Sequence, residues 1–189
     1  MDHSFTRQHP LWGAVREFAD ADRAYQQMKE LTVGNFEAYE HTWKELLRRI
    51  ERVWTKALSV SRGRPGWQQI EAEVALLRRT DPLLSYIQQA RHADEHSIQR
   101  LATDWDAQVT AVATSATTAT VSWKAFDRPL LPVKNRGVVY SPPRDHLGVS
   151  FEHELSKGQP EPAVVAAKAL LFYSQFLNRV SHAVFPGRR

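Results

Sequence analysis

The sequence predicts a mainly α protein: a bundle of four to five helices, with a small antiparallel β insertion at about 107–141 before the last helix. Three observations predict it. Long stretches on either side of the insertion place apolar residues in steps of three and four. The stretch from 107 to 141 changes to alternation with a period of two and is rich in threonine and valine. The length, 189 residues with 42% hydrophobic and 24% charged, suits a single domain, 1–189, whose core needs no disulfide or metal staple.

Residues 1–17 contain Pro10 and little periodicity, and read as an N-terminal arm that docks through Leu11 and Trp12. The bundle core is expected over 18–103. Its first helix runs from about Phe18 to Leu31, with Ala21, Ala24, Tyr25 and Met28 on one side. Gly34-Asn35 ends it, and Asn35 can cap the next helix. That helix is the clearest element: Phe36, Tyr39, Trp43, Leu46, Ile50, Val53 and Ala57 form a stripe that Leu47, Trp54 and Leu58 widen. Ser61 to Gly66 is a turn by composition, and Trp67, Ile70, Val74 and Leu77 mark a third helix ending near Thr80.

Asp81-Pro82 is a strong helix start, a capping aspartate followed by proline at the first helical position. The fourth helix is expected to continue to about Thr103, with a stripe of Leu84, Ile87, Arg91, Asp94, Ile98 and Leu101. Val109, Ala111 and Ala113, then Ala119, Val121, Trp123 and Ala125, alternate as in two strands, and 137–140 adds a third. The insertion is therefore a hairpin or a three-stranded sheet. Residues 142–160 read as loop, and Val165, Ala169, Phe172, Phe176 and Val180 form the buried side of a final helix over 162–184.

Composition excludes several classes. The chain has no cysteine, which rules out disulfide scaffolds, thiolate metal sites and cysteine nucleophiles. Mean hydropathy is -0.47 and no apolar run approaches membrane-spanning length, so no membrane association is expected. The N-terminus lacks the apolar segment of a secretory signal, and a cytoplasmic location is expected. No phosphate-binding glycine loop, dinucleotide fingerprint, serine-hydrolase elbow or calcium loop is present, and no cofactor is called for.

The formal charge is +4. Its distribution is uneven: Lys44, Arg48, Arg49, Arg52, Lys56, Arg62 and Arg64 face only Glu45 and Glu51 over one helix and turn. This is either a solvated helix face or a phosphate-contacting stripe in which Arg48, Arg52 and Lys56 bind nucleic acid. Most of the tryptophans fall on helical stripes and belong to the core; Trp12 and Trp67, beside turn residues, are the candidates for stacking on bases. His146 reads as an ordinary loop residue.

The centre of chemical interest is Arg91-His92-Ala93-Asp94-Glu95-His96. Three readings fit it. His92 and His96, four apart on a helix, could hold a metal with His146 or His153, but the glutamate adjoins the second histidine and points away from a metal-bound water. No metal site is assigned on that ground. Alternatively, Arg91 and Glu95 pair across one turn and the segment is structural. The third reading is catalytic. The segment resembles the R-x(4–6)-H motif of the HEPN superfamily, and DPLLSYIQQARHADEH is similar to a helix of uncharacterised bacterial proteins of that pattern. Where those proteins carry asparagine after the arginine, this chain has His92.

The resemblance implies an all-α, metal-independent endoribonuclease acting as a homodimer with a composite site, as a toxin or phage-defence effector with an antitoxin partner. In that mechanism His96 moves a proton at the ribose 2′-OH or the leaving 5′-oxygen. Arg91 stabilises charge on the phosphate, and Asp94, Glu95 and His92 support the pair. The substrate would be RNA, because the reaction needs the 2′-OH. The rival reading is a non-enzymatic helical module that binds protein or nucleic acid.

Overall fold

The computed structural model describes residues 5–31, 35–97, 101–102, 109–115, 118–123, 130–151 and 160–187; the side chains of 95–97 and 109–123 fall outside that description. The described chain contains five helices: α1 (Trp12–Glu30), α2 (Phe36–Ser61), α3 (Trp67–Thr80), α4 (Pro82–Ser97) and α5 (Pro162–Val184). Between α4 and α5 lie six short strands: β1 (Val109–Ser115), β2 (Thr118–Trp123), β3 (Val133–Asn135), β4 (Val138–Tyr140), β5 (Asp145–His146) and β6 (Val149–Ser150). The mainly α architecture with a β insertion before the last helix is as the sequence predicts.

α1 packs along α2, α5 covers both, and α3 and α4 complete the bundle from the other side. The core is built from the stripes of the helices. Trp43, Leu46, Leu47 and Ile50 of α2 are fully buried, as are Val165 and Ala169 of α5. Trp54, Trp67 and Phe176 meet with ring centroids 5.6–6.5 Å apart where α2, α3 and α5 converge. Trp67 is 1% exposed, so it is a core residue and not a stacking platform. No described helix is long and apolar enough to cross a membrane.

Three boundaries differ from expectation. α1 begins at Trp12, so about half of the arm's described part is helix: Leu11 and Ala14 are buried in series with Phe18, Ala21 and Ala24, which extends the apolar face N-terminally. Asn35 occupies the cap position of α2 without a side-chain cap; its carbonyl accepts from the Tyr39 N–H instead. α4 ends sooner than Thr103, which itself lies outside the described residues with Ile98. By Leu101 the chain is extended: Ala102 bridges Leu130, and the Leu131 N–H donates to the Leu101 carbonyl.

The insertion is a set of separate antiparallel hairpins, not one three-stranded sheet. β1 pairs with β2, β3 with β4, and β5 with β6. Gly137 and Gly148 adopt positive φ at the tips of the two smaller hairpins, where a tight reversal needs a left-handed residue. β5–β6 falls where a loop was expected; at two residues per strand it is too short to show a pattern. β3 and β5 both pack on α4, and that contact positions the site described next.

Candidate functional site

α4 starts as its sequence dictates. Asp81 Oδ1 accepts the Leu84 N–H at 3.0 Å, and Pro82 occupies the first helical position. The buried face then reads Leu83, Leu84, Tyr86, Ile87, Ala90 and Ala93. This face is turned by about one residue from the expected stripe, which moves Arg91 to its half-buried edge. The remaining face carries Ser85, Gln89 and His92, and the backbone position of His96 continues that line.

The two faces meet different neighbours. Asp94, with an 8% exposed side chain, turns to α2: its Oδ2 accepts from Arg48 Nη2 at 2.7 Å, and Lys44 Nζ lies 3.3 Å from Oδ1. The opposite line meets the insertion. Asn135 of β3 donates to Gln89 Oε1 at 2.6 Å, and the buried Tyr86 hydroxyl donates to the Leu131 carbonyl. Burial pushes the Tyr86 phenol up, so it remains a donor.

Positions 91 and 96 are separated by roughly 140° around a straight helix and about 7.5 Å along it. Arg91 lies on the edge next to Asp94, while position 96 belongs to the insertion side. The two positions therefore lie on different faces of α4. The side chains of Glu95 and His96 lie outside the described residues, and His153 likewise. Among the described residues no group of three or more metal-ligating side chains converges.

The basic stripe of α2 is compensated inside the chain. Glu17 of α1, 8% exposed at its side chain, receives Lys56 Nζ at 2.5 Å and Arg49 at 2.9 Å, with Arg52 Nη1 4.0 Å away. Burial pulls the Glu17 carboxyl up, but the bonds and charges of Lys56 and Arg49 outweigh it and hold the group below the usual carboxylate range. Arg48 is shared between Asp94 and Glu45, and Arg49 also binds Glu45 and Asp20. Of the three stripe residues expected to contact phosphate, Arg52 is the most exposed, at 55% of its side chain. Arg48 and Lys56 already bridge helices.

Two further polar clusters were not visible in the sequence. Arg78 of α3 is buried, donating to Glu51 at 2.6 Å and to the Tyr173 hydroxyl at 3.0 Å, with its guanidinium 5.0 Å from the Trp54 ring. His146, expected to be a plain loop residue, lies in β5 with Nδ1 2.9 Å from Asp81 Oδ1, and its ring meets Phe172 edge-on. The Leu147 N–H donates to the other Asp81 oxygen. One buried carboxylate thus caps α4 and anchors the β5–β6 hairpin. Contacts 65 residues apart carry no sequence signal; only the Asp-Pro start marked Asp81.

Compared with protein-family models, curated proteins and solved structures, the chain matches none.

Proposed function

We propose that the chain is a HEPN-like, metal-independent endoribonuclease that acts through a composite homodimer site, as a toxin or phage-defence effector whose activity an antitoxin would restrain. The observation that supports it is the placement of Arg91-x4-His96 in the last two turns of α4, with Asp94 between them gripped by Arg48 and Lys44 of α2. That grip ties the segment to the body of the bundle, and Arg91 is half-buried beside it. A preorganised arginine is what stabilisation of a phosphate transition state requires. The separation of about 140° between positions 91 and 96 fits a site completed by a second copy.

In this reading His96 exchanges the proton of the 2′-OH and 5′-oxygen, and Arg91 binds the phosphate. Asp94 positions the helix through α2 instead of touching substrate. The same ion pair favours a second reading, in which the segment is a structural clip in a non-enzymatic binding module.

Purified wild type and His96→Ala, assayed side by side on total and structured RNA with EDTA present, separate the two. The expected result is cleavage by wild type that leaves 2′,3′-cyclic phosphate ends, and none by the variant at an unchanged melting temperature. No cleavage by wild type, or equal cleavage by His96→Ala, leaves the binding module as the better account.

A further inference from the structure

A cleft of about 560 Å³ opens where the end of α3, the first turn of α4 and the segment 139–144 meet. Its volume falls in the range of small-molecule sites. Its lining includes Arg79 from the end of α3 and Arg144 from the segment 139–144, the hydroxyl-bearing Thr80, Ser85, Tyr140 and Ser141, and no carboxylate. This differs from the arginines that join the helices. Arg48, Arg49, Arg78 and Arg179 each face a carboxylate at 2.6–2.9 Å. Arg79 and Arg144 face none among the described residues; Arg79 only returns a bond to the Ala75 carbonyl of its own helix. Two uncompensated guanidiniums lining one cleft together with several hydroxyl donors are a recognition set for a doubly charged oxyanion. The half-buried Tyr140 ring and Pro142 supply an apolar wall beside them, suited to a flat ring.

We propose that this cleft binds the phosphate monoester of a nucleotide, with Arg79 and Arg144 clasping the phosphate and the Tyr140–Pro142 wall taking the nucleoside. The monoester comes either as a free nucleotide or as the 5′-end of a nucleic-acid strand. The inference stands apart from the ribonuclease reading, because none of its residues belongs to the Arg91–His96 segment. The two sites are related nonetheless: Ser85 lies on the same line of α4 as the position of His96, about 16 Å away along the axis.

Calorimetric titration of the full chain tests it, with adenosine 5′-monophosphate, adenosine, and a 2′-O-methyl trinucleotide with and without a 5′-phosphate. The 2′-O-methyl backbone cannot be cut by a 2′-OH-dependent nuclease, so binding is read without cleavage. Loss of the phosphate should weaken binding roughly tenfold or more, as loss of charge-assisted bonds does. Arg79→Gln/Arg144→Gln should weaken the monophosphate by a similar factor. Both side chains are exposed and neither is in an ion pair, so the melting temperature should not move. Tighter binding of the mononucleotide identifies a free ligand, and tighter binding of the phosphorylated trinucleotide identifies a strand end. Equal affinity for adenosine and its monophosphate, wild-type affinity in the double variant, or no binding of any phosphorylated probe overturns the proposal.

Discussion

Asp94, near the end of α4, accepts a 2.7 Å bond from Arg48 in the middle of α2, and the carboxylate is almost fully enclosed. The two residues are 46 apart in sequence, and their contact decides how the most reactive-looking segment of the chain is held. The sequence placed Asp94 on an apolar stripe and left it needing a partner, which a second chain could have supplied. α2 of the same chain supplies it. Asp94→Asn should therefore destabilise the monomer fold itself, by about 1–3 kcal/mol, because Arg48 and Lys44 then lose the negative charge and one of the two oxygens that they share. Chemical denaturation checks this. A double-mutant cycle with Arg48→Gln should return a coupling of roughly 0.5–3 kcal/mol, whereas additive effects would mean that the pair is incidental.

The compensated stripe has a consequence for substitutions made to probe RNA binding. Replacing Arg48 or Lys56 with glutamine leaves Asp94 or Glu17 short of a partner, and each carboxylate side chain is only 8% exposed. A loss of RNA affinity in such variants would thus mix contact with stability. Arg52→Gln is the cleaner probe, since its carboxylate contact is the longest of the three.

Arg78 sits deeper, with its guanidinium between Glu51, the Tyr173 hydroxyl and the Trp54 ring. Removing one partner of a buried pair is worse than replacing both ends. Glu51→Gln should cost about 3–5 kcal/mol by leaving the arginine's charge uncompensated. Arg78→Met/Glu51→Gln, which removes the charge as well, should recover much of that loss. Urea melts of the two variants provide the comparison, and a double variant as weak as the single one would contradict the argument.

Local order was legible in the sequence where a pattern repeats often enough to be read. The 26 residues of α2 and the 23 of α5 repeat their stripes over many turns, and both helices lie where periodicity puts them. Asp81-Pro82 announced the start of α4 because a cap is a local device. The rotation of α4's buried face was not legible, because Leu83 and Leu84 are adjacent and either could begin the stripe. The hairpins β3–β4 and β5–β6, of two or three residues per strand, are too short for alternation to register. Least legible were the charges. A run of seven basic residues reads as a patch when counted along the chain. Its part within α2 becomes a set of interhelical clips only once α1 and α4 bring Glu17 and Asp94 beside it.

Asp81 links acid stability to the same architecture. Burial raises its carboxyl, but His146 and the N–H groups of Leu147 and Leu84 outweigh that and hold it below the ordinary carboxylate value. A group with a depressed folded pKa contributes stability that is complete above the unfolded value of about 3.9 and drains as pH falls through the folded value. Asp81→Asn keeps an acceptor for the α4 cap and removes the charge facing His146. It should be less stable than wild type at neutral pH, and the gap should narrow below about pH 4, where the carboxylate of the unfolded wild-type chain begins to protonate. Parallel stability curves from pH 3 to pH 7 would place the contribution of Asp81 entirely in its neutral hydrogen bonds.

The last expectation concerns assembly, on which the composite site depends. Asp94 does not argue for a second chain, since α2 satisfies it. What still argues for one is geometry. Arg91 lies on the α2 edge of α4, and the position of His96 lies on the insertion side, roughly 140° around the helix. The two positions leave α4 in different directions, and a two-fold axis beside α4 can bring Arg91 of one copy toward His96 of the other. Sedimentation at micromolar concentration should therefore give a mass near twice 21.6 kDa. His96→Ala should leave that mass unchanged while cleavage is lost, because the histidine acts in the chemistry and not in the fold. Ser85→Glu, on the same side of α4 as position 96 but at its far end, serves as a control that should leave the dimer intact. A wild-type chain that sediments as a monomer at every concentration at which it cuts RNA would remove the composite site, and with it the two-fold arrangement of Arg91 and His96.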